Sequence, residues 1–113
     1  MKIHSARIFV TNMNAARAFY ADILDLPVAF ERDDAIGFDL GISLIIELVD
    51  QDHRILAGRF TGLSLDCTDI HKEYDRLRSL GVTFSGPPEK QSWGGKLAHF
   101  DDPSGNTLTL VSA

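Results

Sequence analysis

The chemical possibilities of this sequence rest on a few side chains in strand-like runs, chiefly Arg7, Glu47 and His99. Side chains alternate across a strand, so each β-rich run divides into two faces. In residues 5–10 and 43–49, Arg7 and Glu47 fall on the same face. Paired, they form a salt bridge that neutralises a partly buried carboxylate. Unpaired, Glu47 has the make-up of a general base with a raised pKa, and Arg7 that of a holder of anionic groups. His99 follows Leu97 on one face of its run, with Ala98 and Phe100 on the other. It is either a wall residue or an acid–base group. Trp93 lies in Ser92-Trp93-Gly94-Gly95 just ahead of that run. An aromatic on a glycine-flanked loop can serve as a lid or stacking wall, or it can cover a sheet edge or dimer seam. No glycine-rich turn here leads into a helix, so Gly94-Gly95 is no phosphate cradle. His53 and His71 are expected to be exposed, on a linker and a helix. Cys67 is expected on an apolar face. Ser5, Ser64 and Thr109 lack a neighbouring His–Asp pair, so no nucleophile constellation emerges.

Those side chains need elements to carry them. Residues 5–10 alternate and are β-rich, which predicts a strand. Thr11 or Asn12 can cap a helix over residues 13–24, with Ala16, Phe19, Tyr20 and Ile23 on one face and Pro27 enforcing the stop. Residues 28–31, 35–40 and 43–49 read as three strands, and 50–59 as a polar linker. The order then repeats: a strand over 62–67, an Asp69 cap, a helix over 70–80 ended by Gly81, a short strand over 82–85, a loop over 86–95, and strands over 96–101 and 107–111. Ile70, Tyr74, Leu77 and Leu80 share a face of that second helix. Asp102-Pro103-Ser104-Gly105 has the residues of a type I turn. The order is βαβββ twice, a weak internal repeat with an offset of about 57 residues, carried by element order more than by identity.

The strands divide cleanly. One face takes Ala6, Ile8, Val10, Leu44, Ile46 and Leu48, then Leu63, Leu65, Cys67, Leu108 and Leu110, and is wholly apolar. It suits a surface buried under helices. The other takes Ser5, Arg7, Phe9, Ser43, Ile45, Glu47 and Val49, then Gly62, Ser64, Asp66, Thr107, Thr109 and Val111. A solvent-facing surface would leave Phe9, Ile45, Val49 and Val111 exposed together. Apolar walls with a few convergent polar groups are the make-up of a ligand site.

Composition narrows the classes. With 113 residues, 44% hydrophobic and 24% charged, the chain suits one compact domain. A single cysteine excludes an intrachain disulfide and is compatible with a reducing cytoplasm. No signal peptide or bilayer-spanning run is expected. The net charge of −5 carries no basic stripe, which argues against a nucleic-acid partner and slightly favours neutral or cationic ligands.

Val10-Thr11-Asn12, Ala18-Phe19-Tyr20 and Ile23-Leu24-Asp25-Leu26 together resemble the opening of the vicinal oxygen chelate superfamily. This group includes glyoxalase I, extradiol dioxygenases, and fosfomycin and bleomycin resistance proteins. Asp102-Pro103-Ser104-Gly105-Asn106 is similar to its D-P-x-G-N turn. Asn12 stands where Asp is usual; both can cap. Asp25 stands where Gly is usual after the helix, which implies a strained helix end. The resemblance covers essentially the whole chain. It implies an α+β fold in which two βαβββ modules (residues 3–50 and 60–113, linker 51–59) form a cup-shaped mixed eight-stranded sheet with helices outside. It also implies a homodimer. The mixed face would line the cup.

Metal-dependent members carry one ligand on each of four strands. Transferred one at a time, those positions fall on Ser5, Glu47, Gly62 and Thr109. A divalent ion such as zinc wants three or four donors at about 2.0–2.2 Å. One carboxylate, two hydroxyls and a glycine are a poor set. Moving His4 into the first position would need a one-residue slip, which turns the whole strand over. The expectation is a metal-free, cofactor-free cytoplasmic protein, most like the bleomycin resistance group, that binds a small organic molecule. Its expected binding residues are Arg7, Phe9, Glu47, Ser64, Asp66, Trp93, His99 and Thr109. The alternative is a metal-independent lyase, isomerase or hydrolase using Glu47 and His99, with a glyoxalase I type lyase behind it.

Overall fold

A computed structural model describes all 113 residues. They form an α+β fold of eight strands in two four-stranded mixed sheets, one from each βαβββ module. The chain divides into two compact units, Met1–Arg59 with Pro103–Asn106, and Phe60–Asp102 with Thr107–Ala113.

In the first unit the sheet order is β1 (Ser5–Val10), β4 (Ser43–Leu48), β3 (Ala35–Asp39), β2 (Val28–Arg32). β1 runs parallel to β4, and the other pairs are antiparallel. Asn12 caps α1 (Met13–Arg17), its side chain accepting from the Ala15 amide at 3.0 Å. The helix does not continue in α geometry to residue 24. Residues Ala18–Ile23 widen into a π turn, in which the Leu24 amide reaches back to the Phe19 carbonyl at 2.8 Å. The consecutive aromatics Phe19 and Tyr20 are both buried there, their rings 5.0 Å apart edge to face. Beyond them Asp25 adopts φ 56°, and the Leu26 amide bonds the Tyr20 carbonyl at 3.1 Å. This is the left-handed ending that usually belongs to glycine. Met13, Ala16, Phe19 and Tyr20 are buried, as are Ile8, Val10, Ile36, Phe38, Leu44 and Ile46 of the sheet, with the Tyr20 and Phe38 ring centres 6.2 Å apart. Leu48, expected in this core, is 39% exposed at the strand's end.

Residues 50–59 are more ordered than a linker. A 3-10 helix spans Gln51–Leu56, and the Asp50 carboxylate accepts from the His53 amide and meets its ring Nδ1 at 2.6 Å. That ring bond, above all, holds the Asp50 pKa below the usual aspartate value.

The second unit has the order β5 (Phe60–Asp66), β8 (Thr107–Ser112), β7 (Lys96–Asp101), β6 (Glu89–Lys90). Here too the β5–β8 pair is parallel and the rest antiparallel. α2 (Ile70–Ser79) starts on the Asp69 cap and ends at Gly81, φ 90°. Ile70 and Leu77 are buried, whereas Leu80, at the helix end, is 49% exposed and does not belong to the buried face. Tyr74 reaches the core through Phe84, whose ring lies between Tyr74 and Phe100.

The strand expected over residues 82–85 shrinks to one bridge, Phe84 to Phe100. Pairing along β7 resumes at Glu89–Lys90, inside the expected loop. Pro87 and Pro88 lie between and have no amide hydrogen to donate, so the ladder breaks across them.

Candidate functional site

The mixed faces keep the side chains that alternation put there, and each sheet organises its own set. In the first unit Phe9 pairs with Glu47 across the parallel β1–β4 ladder, and Arg7 with Ile45. Arg7 Nη1 donates to Glu47 Oε1 at 3.2 Å. Its guanidinium carbon also lies 5.2 Å from the Phe9 ring centre. The two groups are therefore paired, and the arrangement in which a free Glu47 would act as a base is not the one present. The Arg7 side chain is 54% exposed and that of Glu47 32%, so the pair contributes only about 0–1 kcal/mol to stability.

The other side of this face rests on Phe30, which sequence reasoning did not single out. Phe30 pairs with Gly37, and its ring occupies the space a Cβ on Gly37 would fill, 2.1 Å from the nearest ring carbon. Only a residue without a side chain lets the ring lie across the sheet there. Arg32 stands 5.2 Å from the Phe30 ring centre. Gly37 in a strand was the signal that could have found it.

In the second unit His99, Thr109 and Ser64 form one row across β7, β8 and β5. His99 Nδ1 lies 2.8 Å from Thr109 Oγ1. Thr109 is buried and His99 half-buried. Phe60 touches the His99 ring edge to face, centres 5.7 Å apart. Phe60 was also missed, because its strand starts two residues earlier than expected. Between Phe60 and Ser64 the β5–β8 register shifts, with Gly62 at φ 74° and Thr61 Oγ1 donating to the Thr107 carbonyl at 2.8 Å. This bulge aims Phe60 at His99. Trp93 is 61% exposed and folds onto its own loop, its ring over Gly95. The Gln91 amide closes that loop on the Gly95 carbonyl at 2.7 Å.

Asp66 is exposed and opens onto a groove of about 340 Å³ shared with Cys67, Thr68 and Ala113. A neighbouring groove of about 650 Å³ runs along Cys67, Asp69, Lys72, Glu73 and Arg76 and touches no expected binding residue. Two of its carboxylates are engaged: Asp69 caps α2, and Glu73 pairs with Arg76. Burial first, then the Glu73, Asp66 and Asp69 charges, push the Cys67 thiol pKa up. His53 and His71 are exposed, His71 beside Lys96 at 3.1 Å.

The residues at the four transferred ligand positions do not fit a divalent metal. Ser5 lies 3.1 Å from His4, Glu47 is held by Arg7, Gly62 is part of a bulge, and Thr109 is bonded to His99. Nowhere do three His, Cys, Asp or Glu side chains converge.

The chain belongs to the Glyoxalase/Bleomycin resistance protein/Dioxygenase superfamily, whose family model matches residues 2–110. The uncharacterized protein YurT of Bacillus subtilis (strain 168) is 30% identical, over 98% of both chains. The crystal structure of a superfamily member from Sphaerobacter thermophilus DSM 20745 is 32% identical, with TM-score 0.81 over 100% of this chain and 98% of that one. TnmS3, an antibiotic binding protein from Streptomyces sp. CB03234, shares the fold at 24% identity and TM-score 0.79, over 99% of this chain and 95% of its own. No helix is long and apolar enough to cross a membrane.

Proposed function

We propose that this chain binds a small organic molecule on its mixed sheet faces and does so without a resident metal. The observation that carries this is the state of Glu47. It is the one ionisable side chain among the four ligand positions, and a guanidinium 3.2 Å away already neutralises it. Around it stand the features of a binding surface: Phe9, Phe30 and Ile45 as apolar walls, with Arg7 and Glu47 to orient a ligand. The second sheet carries its own set, Phe60, Trp93, Ser64, Asp66, His99 and Thr109. The antibiotic binding of TnmS3 is compatible with this use of the fold. As part of the same proposal, the protein works as a homodimer in the cytoplasm, with no nucleic-acid or membrane partner.

The test is a ligand titration read by Trp93 fluorescence, run on protein of measured metal content with and without a chelator. A saturable response that chelation leaves unchanged is the expected result. Near-stoichiometric zinc, nickel, manganese or iron in the purified protein overturns the metal-free reading. Silence across a broad panel of aromatic ligands, in fluorescence and in calorimetry alike, overturns binding.

A further inference from the structure

We infer that Arg7 is the anchor of an anion site on the first sheet, so that this chain selects organic anions, specifically planar aromatic carboxylates. The inference rests on the binding reading above and names its ligand class.

The first observation is the geometry of the guanidinium. It is held from two sides, by Glu47 Oε1 at 3.2 Å and by the Phe9 ring at 5.2 Å. Arginine carries five N–H donors, and a single contact to one carboxylate oxygen leaves the rest of the fork unengaged. A planar fork that is already positioned loses little freedom on binding a carboxylate, and it matches two oxygens at once. With 54% of the side chain exposed, a ligand can reach it.

The second observation is what lies beside it. One cross-strand row runs from Arg7 on β1 through Ile45 on β4 to Gly37 on β3, where the Phe30 ring lies down over the sheet. Two strand spacings separate β1 from β3, about 9.6 Å. A flat aromatic body fits that row, resting on half-buried Ile45 with its edge toward Phe30 and its carboxylate at Arg7. Glu47 sits on the adjacent row, paired in register with Phe9. It fixes the guanidinium, and it also repels the incoming anion.

The opposing roles of Arg7 and Glu47 make the test specific. The probes are 2-naphthoate and its uncharged analogue 2-naphthamide, titrated by calorimetry into the full chain and into the Arg7→Gln and Glu47→Gln variants. Both variants are checked by circular dichroism. The expected result is tighter binding of the naphthoate by the wild-type chain. Arg7→Gln should weaken it about tenfold, the effect of a half-exposed charge-assisted bond, and weaken the naphthamide, whose amide oxygen accepts only a neutral bond, by much less. Glu47→Gln should tighten the naphthoate about threefold, because the competing carboxylate is gone. A ligand site built on Glu47 itself would show the reverse. Equal binding of both probes, or naphthoate binding indifferent to Arg7→Gln, overturns the anion assignment and leaves small-molecule binding standing. No binding of either probe overturns the anion assignment too, and the fluorescence panel then decides the broader reading separately.

Discussion

Asn106 closes the D-P-x-G-N turn, and its replacement is the most exacting test of how the turn works. The residue is 1% exposed. Its Nδ2 donates to the Phe9 carbonyl at 2.8 Å, and its Oδ1 accepts from the Gly58 and Arg59 amides at 2.9 and 3.1 Å. One amide side chain thus ties the turn to the β1 end and to the segment leaving the 3-10 helix. Ser104 adds a contact nearby, its Oγ accepting from the Thr11 amide at 3.0 Å. Each such bond is worth about 1 kcal/mol net, and buried partners left unmatched cost more. Asn106→Ala should therefore destabilise by about 3 kcal/mol, a large share of the roughly 5–15 kcal/mol that a domain possesses. The melting temperature should fall by about 10 °C. Asn106→Leu separates the causes, because leucine fills the volume but makes no bonds. Urea unfolding of both variants, at unchanged m-value, is the assay. Costs below about 1 kcal/mol for both variants would show that water or a rearranged turn replaces the bonds, and the argument would fail.

Three further outcomes follow from local geometry. Asp25→Gly should raise stability by about 0.5–1 kcal/mol, since glycine accepts φ 56° without the Cβ clash and the Asp25 side chain is exposed; a loss in thermal unfolding would contradict this. Gly37→Ala should cost about 1–3 kcal/mol and displace Phe30, because the new Cβ would stand 2.1 Å from its ring; wild-type stability with unshifted Phe30 ring resonances would refute it. Cys67 should react with a thiol reagent more slowly at pH 8 than an exposed cysteine. Its raised pKa means less thiolate there, and the rate should climb only as pH passes the ordinary thiol range; reaction at the rate of a free thiol would rule this out.

The elements were legible wherever a local rule decided them. Asn12 and Asp69 cap because a short acceptor precedes an apolar period, and Gly81 ends α2 in the left-handed region. The π turn was not legible, since periodicity reports which residues are apolar and not whether their amides bond four or five residues back. β6 was hidden for a related reason. Glu89 and Lys90 carry no strand signature, and their pairing with β7 resumes a ladder that begins at Phe84 and breaks across Pro87-Pro88. Leu80 and Leu48 belong to apolar patterns but sit at element ends, where the core no longer covers them.

The site was legible one strand at a time. Alternation alone put Arg7 with Glu47, and Ser64 with Thr109, on the mixed side, and the structure keeps them there. What alternation cannot supply is register between strands. The Arg7–Glu47 pair forms because β1 lies parallel to β4 with Phe9 opposite Glu47, which sets Glu47 one diagonal from Arg7, within reach of a long side chain. His99 meets Thr109 because the β7–β8 ladder puts them directly opposite. The two missed aromatics share a cause. Phe30 lies flat because Gly37 has no side chain, and Phe60 turns onto His99 because Gly62 opens a bulge. Each ring is positioned by a glycine on or beside its own ladder, so a glycine inside a strand of this chain marks where an aromatic is brought onto the mixed face. Gly62 shows the backbone side of the same rule. It is the residue whose left-handed backbone makes the bulge, and a histidine there would have to adopt φ 74° to preserve it.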